Sequence, residues 1–184
     1  GVIDDVKLAV NNGFRSAGND ILVVGQGDST NDGWLGASIY QHHFGDDEIY
    51  APPQIDLNAE RAHGSFVRRQ ILAGNINAAH DISDGGLAVA VAEMAMKSGL
   101  GAIIKTPEFG QLHGWAFGED QARFVVSTTD GTALIAAAKD AGIEVTKIGI
   151  VIEDGELTFG VHDTISLIEI SSDFESCIPS LMAG

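Results

Sequence analysis

Basic residues are scarce in this chain: 10 Lys and Arg stand against 26 Asp and Glu, a formal net charge of −16. Such a surface has no cationic stripe to neutralise a phosphate backbone, so nucleic-acid binding is excluded as a function class. Cysteine is almost missing too. With Cys177 alone there is no internal disulfide, and a lone thiol fits a reducing compartment. No basic neighbour activates Cys177, so packing is its expected role rather than nucleophilic attack. No apolar run reaches the roughly 20 residues of a membrane span, and the first residues lack the basic-then-apolar order of a secretory signal. Repeats and low-complexity segments are absent. At 184 residues the chain is one domain or slightly more, long enough for a real core. Gly1-Val2-Ile3 opens in mid-element without an initiator Met, which suggests a piece of a longer chain.

What is present centres on His80-Asp81-Ile82-Ser83-Asp84-Gly85-Gly86-Leu87 and the apolar run to Met96. An extended entry meets two carboxylates, a hydroxyl and a Gly-Gly turn, and a helix of small side chains starts at once. Ser83 or Asp84 is the expected N-cap, and Gly99 with Lys97 suits the helix end. Glu93 is the one polar residue between Leu87 and Met96, so burial nearly all round is expected.

Asp20–Gly25 is a continuous apolar strand, followed by a polar loop from Gln26 to Gly33. A helix is expected from Trp34 to Phe44, and a longer one capped by Asp56 and stopped by Gly74-Asn75. Leu57, Phe66, Val67, Ile71 and Leu72 form its apolar side. Beyond the central helix, strands are expected at Ala102–Lys105 and Arg123–Thr128, with an irregular stretch from Phe109 to Phe117 between them. Asp130 caps a helix to Ala141. Strands at Val145–Val151 and Leu157–Gly160 flank an Asp154-Gly155 hairpin turn, Asp163–Ile165 is a further strand, and a last helix covers Ser166 to Ser176 before Pro179. Without a strict βαβ rhythm, the fold class is α+β, a mixed sheet with packed helices.

Three stretches could carry chemistry. Asp81 and Asp84, three apart beside His80, could hold Mg²⁺ next to a phosphate at a helix start. Equally, they could cap the turn and the helix. Gly118-Glu119-Asp120-Gln121-Ala122-Arg123 puts an acid, an amide and a guanidinium at a strand entry, able to read a polar ligand or to form an internal salt-bridged turn. Gly27-Asp28-Ser29-Thr30 lacks the Lys of a P-loop, so a plain loop is expected. His42 and His43, being adjacent, point to different sides of a helix and do not chelate. His63, His113 and His162 are isolated and expected at the surface.

The stretch Ala79-His80-Asp81-Ile82-Ser83-Asp84-Gly85-Gly86-Leu87-Ala88-Val89-Ala90-Val91-Ala92-Glu93-Met94 resembles the signature of the second C-terminal-type domain of the phosphoribosylformylglycinamidine synthase family. Leu35-Gly36-Ala37-Ser38-Ile39-Tyr40 resembles its Leu-Gly-Gly-Ser-x-Tyr segment, and Glu119-Asp120-Gln121-Ala122-Arg123 its Glu-Ser-x-x-Arg segment. Ala37 and Asp120 depart from that pattern. The implied fold is that of the C-terminal domain of aminoimidazole ribonucleotide synthetase. The division implied is residues 1–18 as the remnant of a preceding ATP-binding domain with its linker, and 19–184 as the synthetase-superfamily domain. Gly1 to about Gly18, with Val2, Ile3, Val6, Leu8, Val10 and Phe14 as one edge of a sheet completed elsewhere, should then be the least settled part.

The implied activity is an ATP-dependent C–N ligation in purine biosynthesis, converting formylglycinamide ribonucleotide to the amidine with glutamine-derived ammonia, in the cytoplasm. ATP and Mg²⁺ serve the full-length enzyme, with none expected to be held by this piece alone and no catalytic residue within it. Asp81, Ser83, Asp84, Gly85, Gly86, Glu119, Gln121 and Arg123 are the implied ligand-loop candidates, Asp81 and Asp84 the sole metal candidates. Partners implied are the remaining domains of the polypeptide and the glutaminase and small accessory subunits, with no nucleic acid and no membrane. The alternatives are a domain of a thiamine-monophosphate kinase-like enzyme, whose loop would carry a single Gly where Gly85-Gly86 stand, or a purely structural interaction module.

Overall fold

A computed structural model of the chain describes residues 5–25, 33–45, 50–108, 111–161 and 163–183. In chain order these form β1 (Asp20–Val24), α1 (Ile39–Phe44), α2 (Leu57–Leu72), β2 (Ala78–Asp81), α3 (Gly86–Ser98), β3 (Gly101–Ile104) and α4 (Leu112–Phe117). Then come β4 (Phe124–Thr128), α5 (Gly131–Asp140), β5 (Val145–Ile152), β6 (Glu156–Phe159), β7 (Asp163–Ser166) and α6 (Leu167–Ala183). The strands make one seven-stranded sheet in the order β2-β4-β1-β5-β3-β6-β7. Among the described residues only the β3–β6 pairing is parallel, so the mixed α+β class holds.

β1 lies inside the sheet, and its unbroken apolar run reflects burial on both faces. Ile21 and Val23 point into one core cluster, Leu22 and Val24 into the other, as the two-residue period of a strand requires. The first cluster is closed by α3, α4 and α6 through Leu87, Met94, Trp115 and Leu167. The second is closed by α2 and α5 through Phe66, Val67, Leu134 and Ala138. Asp56 caps α2 by accepting from the N–H groups of Asn58 and Ala59, and Asp130 caps α5 through Ala133, both as expected. Leu57 and Leu72, however, are exposed and lie outside the apolar side expected for α2.

Several expectations are corrected. The helix after Gly33 begins at Ile39, not Trp34; Ser38 is its N-cap, whose side chain accepts from the Gln41 N–H and fixes the start. Residues 112–117, expected to be irregular, form α4. Asp154-Gly155 is not a hairpin turn, because β3 lies between β5 and β6. The link from β5 to β6 instead passes across the start of β3 at Gly101, where a Cβ would strike the backbone of Asp154 and Glu156. The last helix runs through Pro179 to Ala183 rather than stopping before it. The carbonyl that a residue with an N–H would have bonded there belongs to exposed Glu175, which water can serve. Cys177 is exposed, not packed.

Among its described residues the N-terminal segment forms no strand, unlike the sheet edge expected there. Val6–Leu8 form a 3-10 turn, and Phe14 is buried in the α3 cluster with its N–H donating to the Met94 carbonyl. Val2 and Ile3 lie outside the described residues. So do most of the Gln26–Gly33 loop, with Gly27-Asp28-Ser29-Thr30, and His162.

Candidate functional site

Strand pairing gathers the candidate loops at one end of the sheet. β4 pairs antiparallel with both β1 and β2, matching Phe124 to Val24 and to Asp81. The chain leaving β1, the chain leaving β2 and the chain entering β4 therefore meet there. The Ile82 N–H donates to the Arg123 carbonyl at 2.9 Å and extends the β2–β4 ladder into the loops.

Glu119 ties these loops together. Its Oε1 accepts from the Gly85 N–H at 2.8 Å and from the Ile39 N–H at 2.9 Å. One carboxylate thus serves the orphan donors at the starts of both α3 and α1, where the helix dipole favours a negative charge. The expected caps of α3 are thereby corrected. Gly85 itself occupies the N-cap position at φ 81°, with no side-chain cap of its own, and Ser83 and Asp84 are exposed. The reason is steric as well as electrostatic. Gly86 also has a positive φ, of 72°, and a Cβ on it would meet the backbone of Phe117 at 2.6 Å, so the turn packs directly on the end of α4.

Asp120 repeats the pattern one residue on. Its Oδ2 accepts from the Trp34 N–H at 3.0 Å and lies 3.5 Å from the Arg123 guanidinium. Arg123 is 5% exposed, and its Nε has no partner. Burial pushes the guanidinium below its ordinary value, and the charge of Asp120 opposes that shift. Glu119, Asp120 and Arg123 are thus each engaged in a hydrogen bond or ion pair within the domain. Gln121 alone among the candidates here faces solvent freely.

His80 faces oxygens on both ring nitrogens: Nδ1 lies 2.7 Å from the Asp81 carbonyl and Nε2 lies 2.9 Å from Glu93, so it joins β2 to α3. Glu93 is the one polar residue in the apolar stretch of α3, and this contact accounts for it. The Asp81 side chain is 66% exposed. Among the described residues no three His, Cys, Asp or Glu side chains converge as a group that could hold a metal ion.

Sequence reasoning missed His63, expected at the surface. It is half-buried and its Nδ1 donates to the Ala122 carbonyl at 2.7 Å. Ala122 is held at φ 62°, and Ala37 at φ 56°. The positive φ at Ala37 is the one signal that was present in the sequence, because the resembling segment carries Gly there. His113 is exposed as expected, and His42 and His43 are exposed too. His113 also stacks on Tyr40, which in turn stacks on Phe117.

The family model described as "AIR synthase related protein, C-terminal domain" matches residues 16–162. Over 188 aligned residues the chain is 46% identical to the phosphoribosylformylglycinamidine synthase subunit PurL of Methylocella silvestris, covering 100% of this chain and 25% of that protein. The subunit PurL of Zymomonas mobilis is 37% identical over 183 residues, covering 99% and 24%. The chain therefore spans about a quarter of the length of the curated relatives it matches. Among solved structures, T. maritima PurL complexed with FGAR superposes with a TM-score of 0.70 at 18% identity, covering 88% of this chain and 29% of that one. E. coli HypE, a hydrogenase maturation protein, gives 0.55 at 20% identity over 83% and 51%. At these identities the superpositions speak for the fold, the mixed sheet with helices on both faces. The chain belongs to the AIR synthase related protein, C-terminal domain family.

Proposed function

We propose that this chain is the C-terminal synthetase-superfamily domain of a phosphoribosylformylglycinamidine synthase. In that protein ATP activates the amide oxygen of formylglycinamide ribonucleotide, and ammonia from glutamine displaces the phosphorylated oxygen to form the amidine. The observation that carries the proposal is 46% identity to the Methylocella silvestris subunit along the whole of this chain. Residues 1–18 are assigned to the remnant and linker of a preceding ATP-binding domain, and 19–184 to the domain itself. ATP and Mg²⁺ act in the whole protein, a cytoplasmic C–N ligase whose partners are its own other domains, a glutaminase and a small accessory subunit.

The local chemistry supports a positioning role for this domain rather than a catalytic one. Glu119 and Asp120 already accept backbone hydrogen bonds from α1, α3 and Trp34, and no cluster of metal ligands forms among the described residues. Asp81, Ser83, Asp84 and Gln121 remain solvent-facing, available to a surface brought by another domain.

The test replaces the matching quarter of the Methylocella silvestris subunit with this chain. The chimera is expected to convert formylglycinamide ribonucleotide with ATP and ammonia, whereas the 184-residue chain alone shows no ribonucleotide-dependent ATP hydrolysis. A chimera that folds like its parent and makes no amidine overturns the proposal.

A further inference from the structure

An apolar cleft of about 400 Å³ opens on the face of the sheet covered by α3, α4 and α6. Its floor is Ala88 and Ala92 of α3, its walls Phe117 of α4, Phe159 of β6 and Ile170 of α6. This is where α3 departs from the all-round burial its sequence implies. The small alanines leave room, α4 and α6 flank the helix, and Val89 remains 36% exposed beside the gap. The rim is apolar as well: Leu112 is 46% and Ile165 44% exposed, and the exposed Ile168 continues the patch along α6.

Among the described residues, His113 apart, no acidic or basic side chain lines the cleft. A phosphorylated ligand would find no cation there, and a small polar ligand would find few convergent groups to fix its orientation. Apolar pockets with an apolar rim are instead what buried aromatic and aliphatic anchors of a protein interface fill. A second copy of this chain is a poor occupant, because each copy brings a net charge of −16 to the contact. The relatives supply another. Roughly three quarters of their length lies outside the part this chain matches.

We infer that the cleft between α4 and α6 seats an apolar anchor from the remaining domains of the same polypeptide. The inference rests on the proposal that this chain is one domain of a longer synthetase, and it names the surface through which the domain is held.

Amide exchange in the same chimera, compared with the 184-residue chain, tests it. The α3, α4 and β7 segments around Val89, Leu112 and Ile165 are expected to exchange about tenfold more slowly in the chimera, and α2 and α5 on the opposite face equally in both. Leu112→Asp with Ile165→Asp, both half-exposed positions, should erase the extra protection. Equal exchange around the cleft overturns the inference, and so does protection already present in the isolated chain together with concentration-dependent dimers. Activity is scored separately: an active chimera with an unprotected cleft overturns the docking surface and leaves the function standing, and an inactive chimera with a protected cleft does the reverse. Should the chimera aggregate, the relative's remaining part is added in trans to the 184-residue chain. Binding that weakens at least about tenfold in the double variant supports the inference, and no binding, or unchanged binding, overturns it.

Discussion

Glu119 joins chain segments far apart in sequence, accepting from Ile39 across 80 residues and from Gly85 across 34. The two bonds are not equal in consequence. Ile39 is exposed, so water can replace the carboxylate there, whereas Gly85 is buried and its N–H would be left without a partner. Orphaning a buried donor costs about 1–3 kcal/mol. Glu119→Ala should therefore lose that amount in urea unfolding, and Glu119→Gln, which keeps an acceptor oxygen, should lose less. Asp84→Ala is the contrast. Its side chain is exposed and bonds no backbone group at the start of α3, so a change within about 0.5 kcal/mol is expected. If Asp84→Ala proved the costlier of the two, the helix would be held by its local acid and not by the distant one.

At the scale of elements, α6 divides into a seated half and an overhanging half. Leu167 is buried in the α3 cluster and Ile170 packs against it. Further along, Phe174, Ile178 and Leu181 follow the same helical stripe but are exposed. Leu167→Ala should thus cost about 2–5 kcal/mol, as a buried Leu truncation does. Ending the chain after Ser172 should cost less than about 1 kcal/mol, since it removes few buried contacts. Guanidinium or urea midpoints of the two variants decide it; a truncation as damaging as Leu167→Ala would mean that the distal half is seated. The same scale shows what the sequence could disclose. β1 was legible because a strand buried on both faces is apolar without interruption, and α2 and α5 because Asp56 and Asp130 cap them from immediately before. α4 was not, since Leu-His-Gly-Trp-Ala-Phe spans too few turns for a 3.6-residue period to register. Asp154-Gly155 signals a reversal equally well whether the next strand pairs with the last or skips over β3. Only the backbone packed on Gly101 distinguishes them, and that contact is long-range. The Glu119 latch was hidden for the same reason: its residues are recognisable, its partners are not.

Charge belongs to the molecule as a whole. With 26 acidic residues and 10 basic ones, most carboxylates have no cation to face. The described ion pairs between a basic side chain and a carboxylate are few, Lys147 with Asp20 at 2.5 Å and the buried Arg123 with Asp120 at 3.5 Å, beside the His80–Glu93 contact. Folding therefore concentrates like charge, which destabilises the compact state more than the extended one. Salt acts on this excess directly. The screening length falls from about 30 Å at 0.01 M to about 3 Å at 1 M, so repulsion between surface carboxylates is nearly removed while buried contacts are scarcely touched. Sodium chloride is the salt to use, because sulfate and phosphate also strengthen apolar burial and would mix the two effects. A gain of about 1 kcal/mol corresponds to about 2–4 °C for a domain of this size, so the melting temperature should rise by at least that much between those limits. The opposing term is the half-exposed Lys147–Asp20 pair, which screening weakens, but an exposed pair contributes about 1 kcal/mol at most. Repulsion summed over the surface should outweigh it, and a melting temperature that fell as sodium chloride rose would show that the local pairs, not the net charge, govern how this domain responds to salt.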